Sequence, residues 1–343
     1  MNKPKHQMSG IKIESPGLLS TIQDLGRYGY QRYGMPVSGA MDGFALGLAN
    51  RLVGNKPDAA GIEATLMGPS IRFLAGGLIA LCGSGMQGVV DGSAIASCQA
   101  FAVEEGDLLH FEPLPQGCRM YVAFAGGVDV PPVMGSRSTC LRAGIGGHKG
   151  RALRKGDVLS LGRTTTRQER KTELLRSGKT QAAARTEKRI PPELIAAAGY
   201  GDSVGGYGDP IRIIPGPEVG RLDSKGVISL LSTEYRVSGQ SDRMGYRLEG
   251  DEVSLRTPTA DIISAGIAMG TIQVTGSGQP IIMMADRQTT GGYARVAVVA
   301  SVDLGRVAQL RPGDAVSFEE ISAEEARRLY IRRHEITASI FPW

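Results

Sequence analysis

The stretch Gly106-Asp107-Leu108-Leu109-His110-Phe111-Glu112 recurs in the second half of the chain as Gly313-Asp314-Ala315-Val316-Ser317-Phe318-Glu319. In both copies a Gly-Asp pair, which favours a tight turn, precedes a segment that ends on Phe-Glu. A third pair, Gly156-Asp157, precedes the alternating segment Val158-Leu159-Ser160-Leu161. Repeated turn-and-strand signals predict β-structure, and the recurrence predicts two related halves.

Other similarities between the two halves lie two hundred residues apart. They start at Val37-Ser38-Gly39, which recurs as Val237-Ser238-Gly239. The remaining pairs at this offset are Asp42 with Asp242, Leu48 with Leu248, and Ile62 with Ile262. Several matches at one offset are hard to obtain by chance, so they favour the same conclusion of two related lobes.

Most segments between turns are short and either apolar or alternating, as in Leu78–Leu81, Met120–Phe124 and Ala297–Ala300. Such segments are typical of β-strands. Two helices are predicted as well, one over Met41–Leu52 and one that starts at the capping-box pattern Ser322-Ala323-Glu324-Glu325 and runs to about Arg333. The predicted fold class is mainly β with a few helices, arranged as two barrel-like lobes.

A basic segment separates the two halves. Residues 163–189 contain nine Lys or Arg and three Glu, so this segment has a net charge of +6. Because the whole chain has a net charge of +5, the rest of the chain carries 5 − 6 = −1. Because the basic charge belongs to one polar segment, it does not indicate a nucleic-acid surface. We predict a first lobe at 8–162, a basic and Gly-rich linker or insertion at 163–208 with a short helix at 191–198, and a second lobe at 209–335.

The composition excludes several classes of protein. No apolar run is long enough for a membrane span, and the first residues lack the apolar core of a signal peptide, so we expect a cytoplasmic protein. The four cysteines are widely spaced and predict reduced, buried thiols. The four histidines are scattered, so no metal site is expected.

The polar run Asp286-Arg287-Gln288-Thr289-Thr290-Gly291-Gly292-Tyr293 directly follows the apolar segment Ile281-Ile282-Met283-Met284-Ala285. The apolar segment predicts a buried strand. The run that follows offers an acid, a base, an amide, two hydroxyls and two glycines at the end of that strand. It could be a hairpin turn with a surface ion pair, but its chemistry favours a small-molecule site.

Four further polar clusters stand at predicted strand or helix ends: residues 23–27, 38–42, 135–138 and 241–247. Several arginines suggest an anionic small-molecule substrate, because the guanidinium fork matches carboxylates and phosphates. The alternative is internal Asp–Arg pairs; Asp24 with Arg27 is one such pair, and the choice there stays open. Adjacent residues on a strand point to opposite faces, so we expect neither Asp242 nor Asp286 to pair with the arginine that follows it.

Two other features have competing interpretations. Ser38 and Asp42 flank the start of the first helix, where they could cap it or help to hold an anion. The run Gly83-Ser84-Gly85-Met86-Gln87-Gly88 lacks the Gly-Lys-Ser/Thr ending of a P-loop, and it is better explained as a turn between strands.

Five long motifs resemble one family. They are PGLLSTIQDLGRYGYQ (16–31), MPVSGAMDGFALGLANRLVGN (35–55), AGGVDVPPVMGSRST (125–139), SDRMGYRLEG (241–250) and ADRQTTGGY (285–293). The family is variously called the C subunit of 5-oxoprolinase, Kip antagonist, allophanate hydrolase subunit 2 and biotin-dependent carboxyltransferase. The resemblance implies two cyclophilin-like β-barrel lobes.

The resemblance also implies activity and partners. It implies the C subunit of an ATP-dependent 5-oxoprolinase, which works with a B subunit or Kip-inhibitor-like protein and with an A-like subunit to hydrolyse 5-oxo-L-proline to glutamate. Alternatives are a carboxyltransferase component that takes carboxyl groups from biotin on a partner, or a regulatory protein that antagonises a kinase inhibitor. ATP is the cofactor that the first of these functions implies. Neither nucleic acid nor a membrane is an expected partner.

The motifs assign candidate roles to particular side chains. The candidate catalytic residues are Asp242, Asp286 and Gln273, with the two acids positioning the amide under attack. The candidate substrate- and phosphate-binding residues are Arg27, Ser38, Asp42, Arg137, Ser138, Arg243, Arg247, Arg287, Gln288, Thr289, Thr290, Gly291, Gly292 and Tyr293. At Ala265 the resemblance leads us to expect an acid, and at Thr275 a proline.

Overall fold

The computed structural model describes residues 10–176, 190, 208–257 and 261–341. The chain forms two compact units, one made of Met1–Gly26 with Gly43–Ile190 and the other of Arg27–Asp42 with Pro191–Trp343. The segment 27–42 therefore belongs to the second unit, although the predicted first lobe included it. Met41, which is fully buried, is a member of the second unit's hydrophobic core, and this long-range packing leaves no mark in the local sequence.

The described part of the first unit contains two antiparallel sheets. One has the strand order β11-β1-β4-β9-β6-β7, and the other has the order β2-β3-β10-β5-β8. Alternating apolar side chains from both sheets, among them Ile13, Ile71 and Val122, form one core. The strands are β1 Gly10–Ser15, β2 Leu19–Gln23, β3 Gly61–Thr65, β4 Ser70–Phe73, β5 Gly77–Gly83, β6 Met86–Val90, β7 Ser93–Ile95, β8 Gln99–Val103, β9 Leu108–Pro113, β10 Arg119–Phe124 and β11 Val158–Ser160.

Two helices pack on the β5 side of this unit. Helix α1, Gly43–Leu52, buries most of its residues against β5 and β10 and confirms the predicted first helix. Helix α2, Thr166–Arg176, packs on β5 and β8. The glycine run 83–88 contains the turn between β5 and β6, at residues 84–85, as predicted.

Helix α2 lies inside the segment that the sequence predicted as a linker or insertion, and residues 166–176 of that segment form a helix packed on the first unit. The helix is held by polar contacts and not by an apolar face. Gln168 donates to Val53 O at 2.9 Å and to Asn55 Oδ1 at 2.8 Å, and Arg176 donates to Val103 O at 2.9 Å. The predicted helix at 191–198 lies outside the described residues.

The second unit is built around a nearly closed sheet with the order β19-β13-β14-β17-β16-β18-β12-β20, and β15 pairs with β18. Strands β19 and β20 are joined through Ser317 but stand at opposite ends of that order, which curls the sheet towards a barrel. The strands are β12 Ile211–Pro215, β13 Tyr235–Val237, β14 Gly245–Glu249, β15 Asp261–Gly266, β16 Thr271–Val274, β17 Pro280–Met283, β18 Thr290–Val299, β19 Ala315–Val316 and β20 Phe318–Glu320.

Within the described part of the second unit, three α-helices accompany this sheet: α3 Ser224–Ser232, α4 Leu304–Ala308 and α5 Ala323–Ile340. Helix α5 starts where the capping-box pattern predicted, because Ser322 accepts a hydrogen bond from Glu325 N at 3.1 Å. It runs further than the predicted end near Arg333. The predicted class, mainly β with two barrel-like lobes, is confirmed.

The three Gly-Asp pairs form the same turn. Their glycines have φ of +94°, +87° and +90° at Gly106, Gly156 and Gly313, a conformation that favours glycine. In each turn the Asp carboxylate accepts from the backbone N–H three residues earlier, at 2.8 Å for Asp107, 2.8 Å for Asp157 and 2.7 Å for Asp314. Strands β9, β11 and β19 begin directly afterwards, as predicted.

The sequence matches two hundred residues apart do not share the same local structure. Leu48 lies in helix α1, whereas Leu248 lies in strand β14. Ile62 is fully buried in β3, whereas Ile262 lies in the largely exposed strand β15. The two lobes are real, but this residue-by-residue correspondence between them is wrong, because short identities do not force the same local structure.

All four cysteines are buried free thiols, as predicted. Among the described residues, no helix combines the length and apolar character that a membrane span requires. Within the same ranges, no three His, Cys, Asp or Glu side chains come together as a metal-binding group.

Candidate functional site

A pocket of about 190 Å³ opens on the second unit's sheet. Arg247 on β14, Ile281 on β17 and Gln273 on β16 lie side by side in register and line it. The alternate residues Tyr246, Ile282 and Ile272 point into the core, because successive strand residues face opposite sides. The full lining is Gln240, Asp242, Met244, Gly245, Arg247, Gln273, Ile281, Met283, Gln288 and Tyr293.

Two carboxamides lie beside Gly291. A Cβ atom on Gly291 would lie 3.1 Å from Gln273 Nε2, 3.4 Å from Gln288 Nε2 and 2.6 Å from Ile267 Cδ1. Only glycine leaves this space open. Gln273 is 1% exposed, and its Nε2 donates to Tyr293 O at 3.2 Å. Each carboxamide carries both donors and an acceptor, so the pocket can pair with a group that has both, such as an amide.

The charged groups of the pocket are exposed residues. Asp242 sits in the turn before β14, where its Oδ1 accepts from Met244 N at 2.8 Å and from Gly245 N at 3.3 Å. Arg247, two residues further along β14 than Gly245, is also exposed. The pocket therefore combines one carboxylate and one guanidinium with amide groups and the thioethers of Met244 and Met283.

Asp286 is committed to a buried ion pair. Arg243 donates from Nε to Asp286 Oδ2 at 2.9 Å and from Nη2 to Oδ1 at 3.3 Å. The same Nη2 donates to Gly39 O at 2.6 Å, and Asp286 N donates to Arg243 O at 2.8 Å. Arg243 is 6% and Asp286 8% exposed, and neither lines the pocket. As expected, Asp286 does not pair with Arg287, although both residues lie in the turn between β17 and β18 and not on a strand.

The residues after Asp286 build the wall between the pocket and β15. Arg287 donates from Nε to Ile267 O at 3.0 Å and from Nη1 to Met284 O at 3.1 Å, and burial lowers the pKa of its guanidinium. Thr289 O accepts from Ile267 N at 3.1 Å. In the β15–β18 register, Thr290 pairs with Gly266 and Gly291 with Ala265, while a Cβ on Gly292 would lie 3.5 Å from Ile262 O.

Three candidate residues lie in the segment 27–42 of the second unit, and all are buried. Arg27 is 1% exposed, and its backbone N–H donates to Val37 O at 2.8 Å. Ser38 is 5% exposed with a left-handed φ of +55°. The Asp42 carboxylate packs beside Gly305, where a Cβ atom would lie 3.0 Å from Oδ2.

Arg137 and Ser138 belong to the first unit, where Asp24 organises their loop. The Asp24 carboxylate accepts from Ser136 Oγ at 2.7 Å, from Arg137 N at 2.5 Å and from Ser138 Oγ. Ser138 is fully buried in this network. The Arg137 side chain donates from Nε to Val130 O at 2.8 Å. These contacts fix the loop backbone internally.

The pocket thus contains five of the candidate residues, namely Asp242, Arg247, Gln273, Gln288 and Tyr293. It also contains five that the candidate set omitted: Gln240, Met244, Gly245, Ile281 and Met283. Strand alternation could have found Gly245, Ile281 and Met283, because they share a face with Arg247. Gln240 and Met244 lie in the turn before β14, where no periodicity applies.

Comparison with known proteins supports the resemblance on which the candidates rest. The family model of the carboxyltransferase domain, subdomain A and B, matches residues 33–320. The chain is 36% identical to the C subunit of 5-oxoprolinase from Escherichia coli strain K12 over 316 residues, which are 92% of this chain and 93% of that protein. It is 33% identical to the urea amidolyase of Saccharomyces cerevisiae over 347 residues, which are 96% of this chain and 18% of that protein.

The fold comparison agrees. The crystal structure of the K. lactis urea amidolyase matches with a TM-score of 0.83 and 28% identity, covering 98% of this chain and 20% of that chain. The chain therefore spans about a fifth of the urea amidolyases and nearly all of the E. coli 5-oxoprolinase relative. These relatives are named as enzymes or enzyme subunits, which supports the role of an enzyme component. By the extent of the family match and its identity to these relatives, the chain belongs to the carboxyltransferase-domain family, subdomain A and B.

Proposed function

We propose that this chain is the C subunit of an ATP-dependent 5-oxoprolinase, in which it binds 5-oxo-L-proline together with a partner that resembles the B subunit. The observation that carries the proposal is the pocket in which the carboxamides of Gln273 and Gln288 lie beside Gly291, with Asp242 and Arg247 also in its lining. The E. coli relative that matches along 93% of its length is named as the C subunit of 5-oxoprolinase.

The chemistry of the pocket suits this substrate. 5-Oxoproline carries a lactam amide, which needs one donor and one acceptor, and a carboxylate, which suits a guanidinium fork. Gln273 and Gln288 would donate hydrogen bonds to the lactam carbonyl, and Arg247 would hold the carboxylate. Asp242, whose Oδ1 is fixed by two backbone N–H groups, would accept the lactam N–H and orient the carbonyl for attack.

The size of the pocket favours a small substrate over a nucleotide as its ligand. Pockets that enclose drug-sized ligands measure about 300–1,000 Å³. A volume of about 190 Å³ suits a ligand as small as 5-oxoproline better than it suits ATP. ATP would supply the phosphoryl group that activates the amide, but we assign it no residues of this pocket. A protein that resembles the A subunit would complete hydrolysis to glutamate.

The test is 5-oxoproline-dependent ATP hydrolysis by the complex of all three subunits. Removing the carboxylate contact with Arg247→Met should raise KM about 10- to 150-fold, since a hydrogen bond to a charged group is worth about 1.5–3 kcal/mol. Arg236→Met is the matched control, because Arg236 is an exposed strand arginine of the same unit outside the pocket. No stimulation of ATP hydrolysis by 5-oxoproline would refute the proposal.

A second candidate is favoured by the fold match along 98% of this chain to urea amidolyase. Urea is also an amide, so the same carboxamides would pair with it. In that case the chain would act as a carboxyltransferase component, and the biotin would arrive on a partner. Urea-dependent turnover that requires a biotinylated carrier, with no response to 5-oxoproline, would favour this function over the first.

A further inference from the structure

Two arginines donate hydrogen bonds to consecutive backbone carbonyls at the end of strand β15. Arg295 donates from Nη1 to Gly266 O at 2.8 Å, and Arg287 donates from Nε to Ile267 O at 3.0 Å. Between them, Ile267 N donates to Thr289 O at 3.1 Å. Hydrogen bonds from charged donors are among the stronger ones in proteins, so this point of the backbone is firmly fixed.

Arg295 is itself held by Glu218 through a bidentate pair. The distances are 2.7 Å from Nη2 to Oε1 and 2.8 Å from Nε to Oε2, and Arg295 N also donates to Glu218 Oε2 at 3.1 Å. The two side chains are 19% and 18% exposed. Glu218 lies outside the sheet, so it connects β18 and the end of β15 to a separate segment of the unit.

Strand β15 is held at its start by Arg221, which donates from Nη1 to Asp261 O at 2.9 Å, and Ile262 packs against the unit's hydrophobic core. Among the described residues the strand pairs only with β18, and Ile263 at its centre is 95% exposed. Ile267, just beyond its end, is 8% exposed and contacts Gly291, where the two carboxamides lie. In the β16–β18 register, Arg295 stands opposite Gln273. The position of the pocket wall therefore depends on the polar contacts at Gly266 and Ile267.

We propose that Glu218 and Arg295 are positioning residues of the pocket, which hold Ile267 against Gly291 and so set the spacing of the Gln273 and Gln288 amides. This inference rests on the proposed function only in that it takes the pocket to be the substrate site. Neither residue lines the pocket. They act through the Gly266 carbonyl, and their role is to keep the amide-binding groups in place before substrate arrives.

The variants for the test are Glu218→Gln, Arg295→Gln and the double variant. Arg295→Lys is added because it keeps the positive charge but lacks the planar guanidinium that bonds both carboxylate oxygens of Glu218. Arg236→Gln is the control, because Arg236 also bridges an acid, Glu234 at 3.5 Å, and a backbone carbonyl, Gly313 O at 3.1 Å, away from the pocket. Thermal unfolding of each full-length variant establishes that it is folded. Arg295→Lys gives a second measurement if Arg295→Gln fails to fold.

Two measurements separate positioning from general stability. Hydrogen exchange of residues 261–267 should rise in each single variant. Calorimetric affinity for 5-oxoproline, and separately for urea, measured on the complex of the chain with its B-like partner, should fall about tenfold, the equivalent of about 1.4 kcal/mol. The affinity of the double variant should be no lower than that of the single variants, because each single substitution already breaks the ion pair between Glu218 and Arg295. Arg236→Gln should change neither quantity.

Each outcome has a definite meaning. Faster exchange with unchanged affinity would overturn the positioning role, and so would unchanged exchange. If the wild type binds urea but not 5-oxoproline, the proposed 5-oxoprolinase function is refuted. The positioning role is then tested with urea as the probe. Binding of neither probe by the wild type would overturn the pocket as a substrate site and the positioning role with it.

Discussion

The buried pair of Arg243 and Asp286 makes the substitution Asp286→Asn informative. Asparagine keeps the shape of the side chain and one acceptor oxygen but removes the charge. The Arg243 guanidinium, in a residue only 6% exposed, then stays buried without the carboxylate that it contacts at 2.9 and 3.3 Å. We therefore expect a large loss of stability whether or not Asp286 takes part in catalysis.

The magnitude follows from the burial of both partners. Removing one member of a buried ion pair destabilises a protein by about 3–5 kcal/mol, and the retained acceptor oxygen places Asp286→Asn near the lower end. For a domain of about 150–250 residues, each kcal/mol lowers Tm by about 2–4 °C. The expected shift is thus about 6–12 °C. Replacing Arg243 and Asp286 together by Met and Leu should recover much of it, because an apolar pair leaves no buried charge.

The assay is thermal unfolding followed by circular dichroism, with 5-oxoproline-dependent ATP hydrolysis measured well below Tm. Asp242→Asn is the comparison, since Asp242 is exposed and an asparagine can still accept from Met244 N and Gly245 N. It should change stability by no more than about 0.5 kcal/mol while lowering kcat/KM. An Asp286→Asn variant with wild-type Tm and a thousandfold lower kcat would refute the structural role and restore Asp286 as the catalytic acid.

Three further substitutions test local features. Gly291→Ala should lower kcat/KM about 10- to 100-fold, because the new Cβ would lie 2.6 Å from Ile267 Cδ1 and displace the pocket wall; unchanged kinetics would contradict this. Hydrogen bonding from Arg151 lowers the pKa of Asp157 to about 2, below an unfolded value near 3.9, so its stabilisation of about 2–3 kcal/mol is present above about pH 4 and lost towards pH 2. The Tm difference between wild type and Asp157→Asn should shrink over that interval. Ser322→Ala should cost about 1 kcal/mol by removing the N-cap of α5, and Ser322→Thr should cost less.

The features that could be predicted from sequence are those with local causes. Gly313 followed by Asp314 specifies a turn because a left-handed glycine and a carboxylate that bonds three residues back suffice to form it. Helix α5 was predicted at its start for the same reason. Helix α2 was not, because Gln168 is buried against Val53 and Asn55, more than a hundred residues away, and a polar helix held by such contacts has no apolar periodicity.

The candidate site shows the same division. Alternation on β14 and β16 puts Arg247 and Gln273 on one face, and the sequence contained that signal. It also indicated correctly that Asp286 would not pair with Arg287. It could not name Arg243 as the partner, because the pair joins loops 43 residues apart through the tertiary fold. Nor could it show that Gly39 shares the same guanidinium.

The run from Asp286 to Tyr293 therefore contains two kinds of residue. Where the chain leaves the buried strand β17, its polar groups are still enclosed and must be satisfied internally, so Asp286 binds Arg243 and Arg287 binds two carbonyls. From Gln288 onward the chain reaches the surface, and its amide and the ring of Tyr293 line the pocket. Polar residues directly after a buried strand therefore act as anchors here, and the residues that follow them are the ones positioned to contact a ligand.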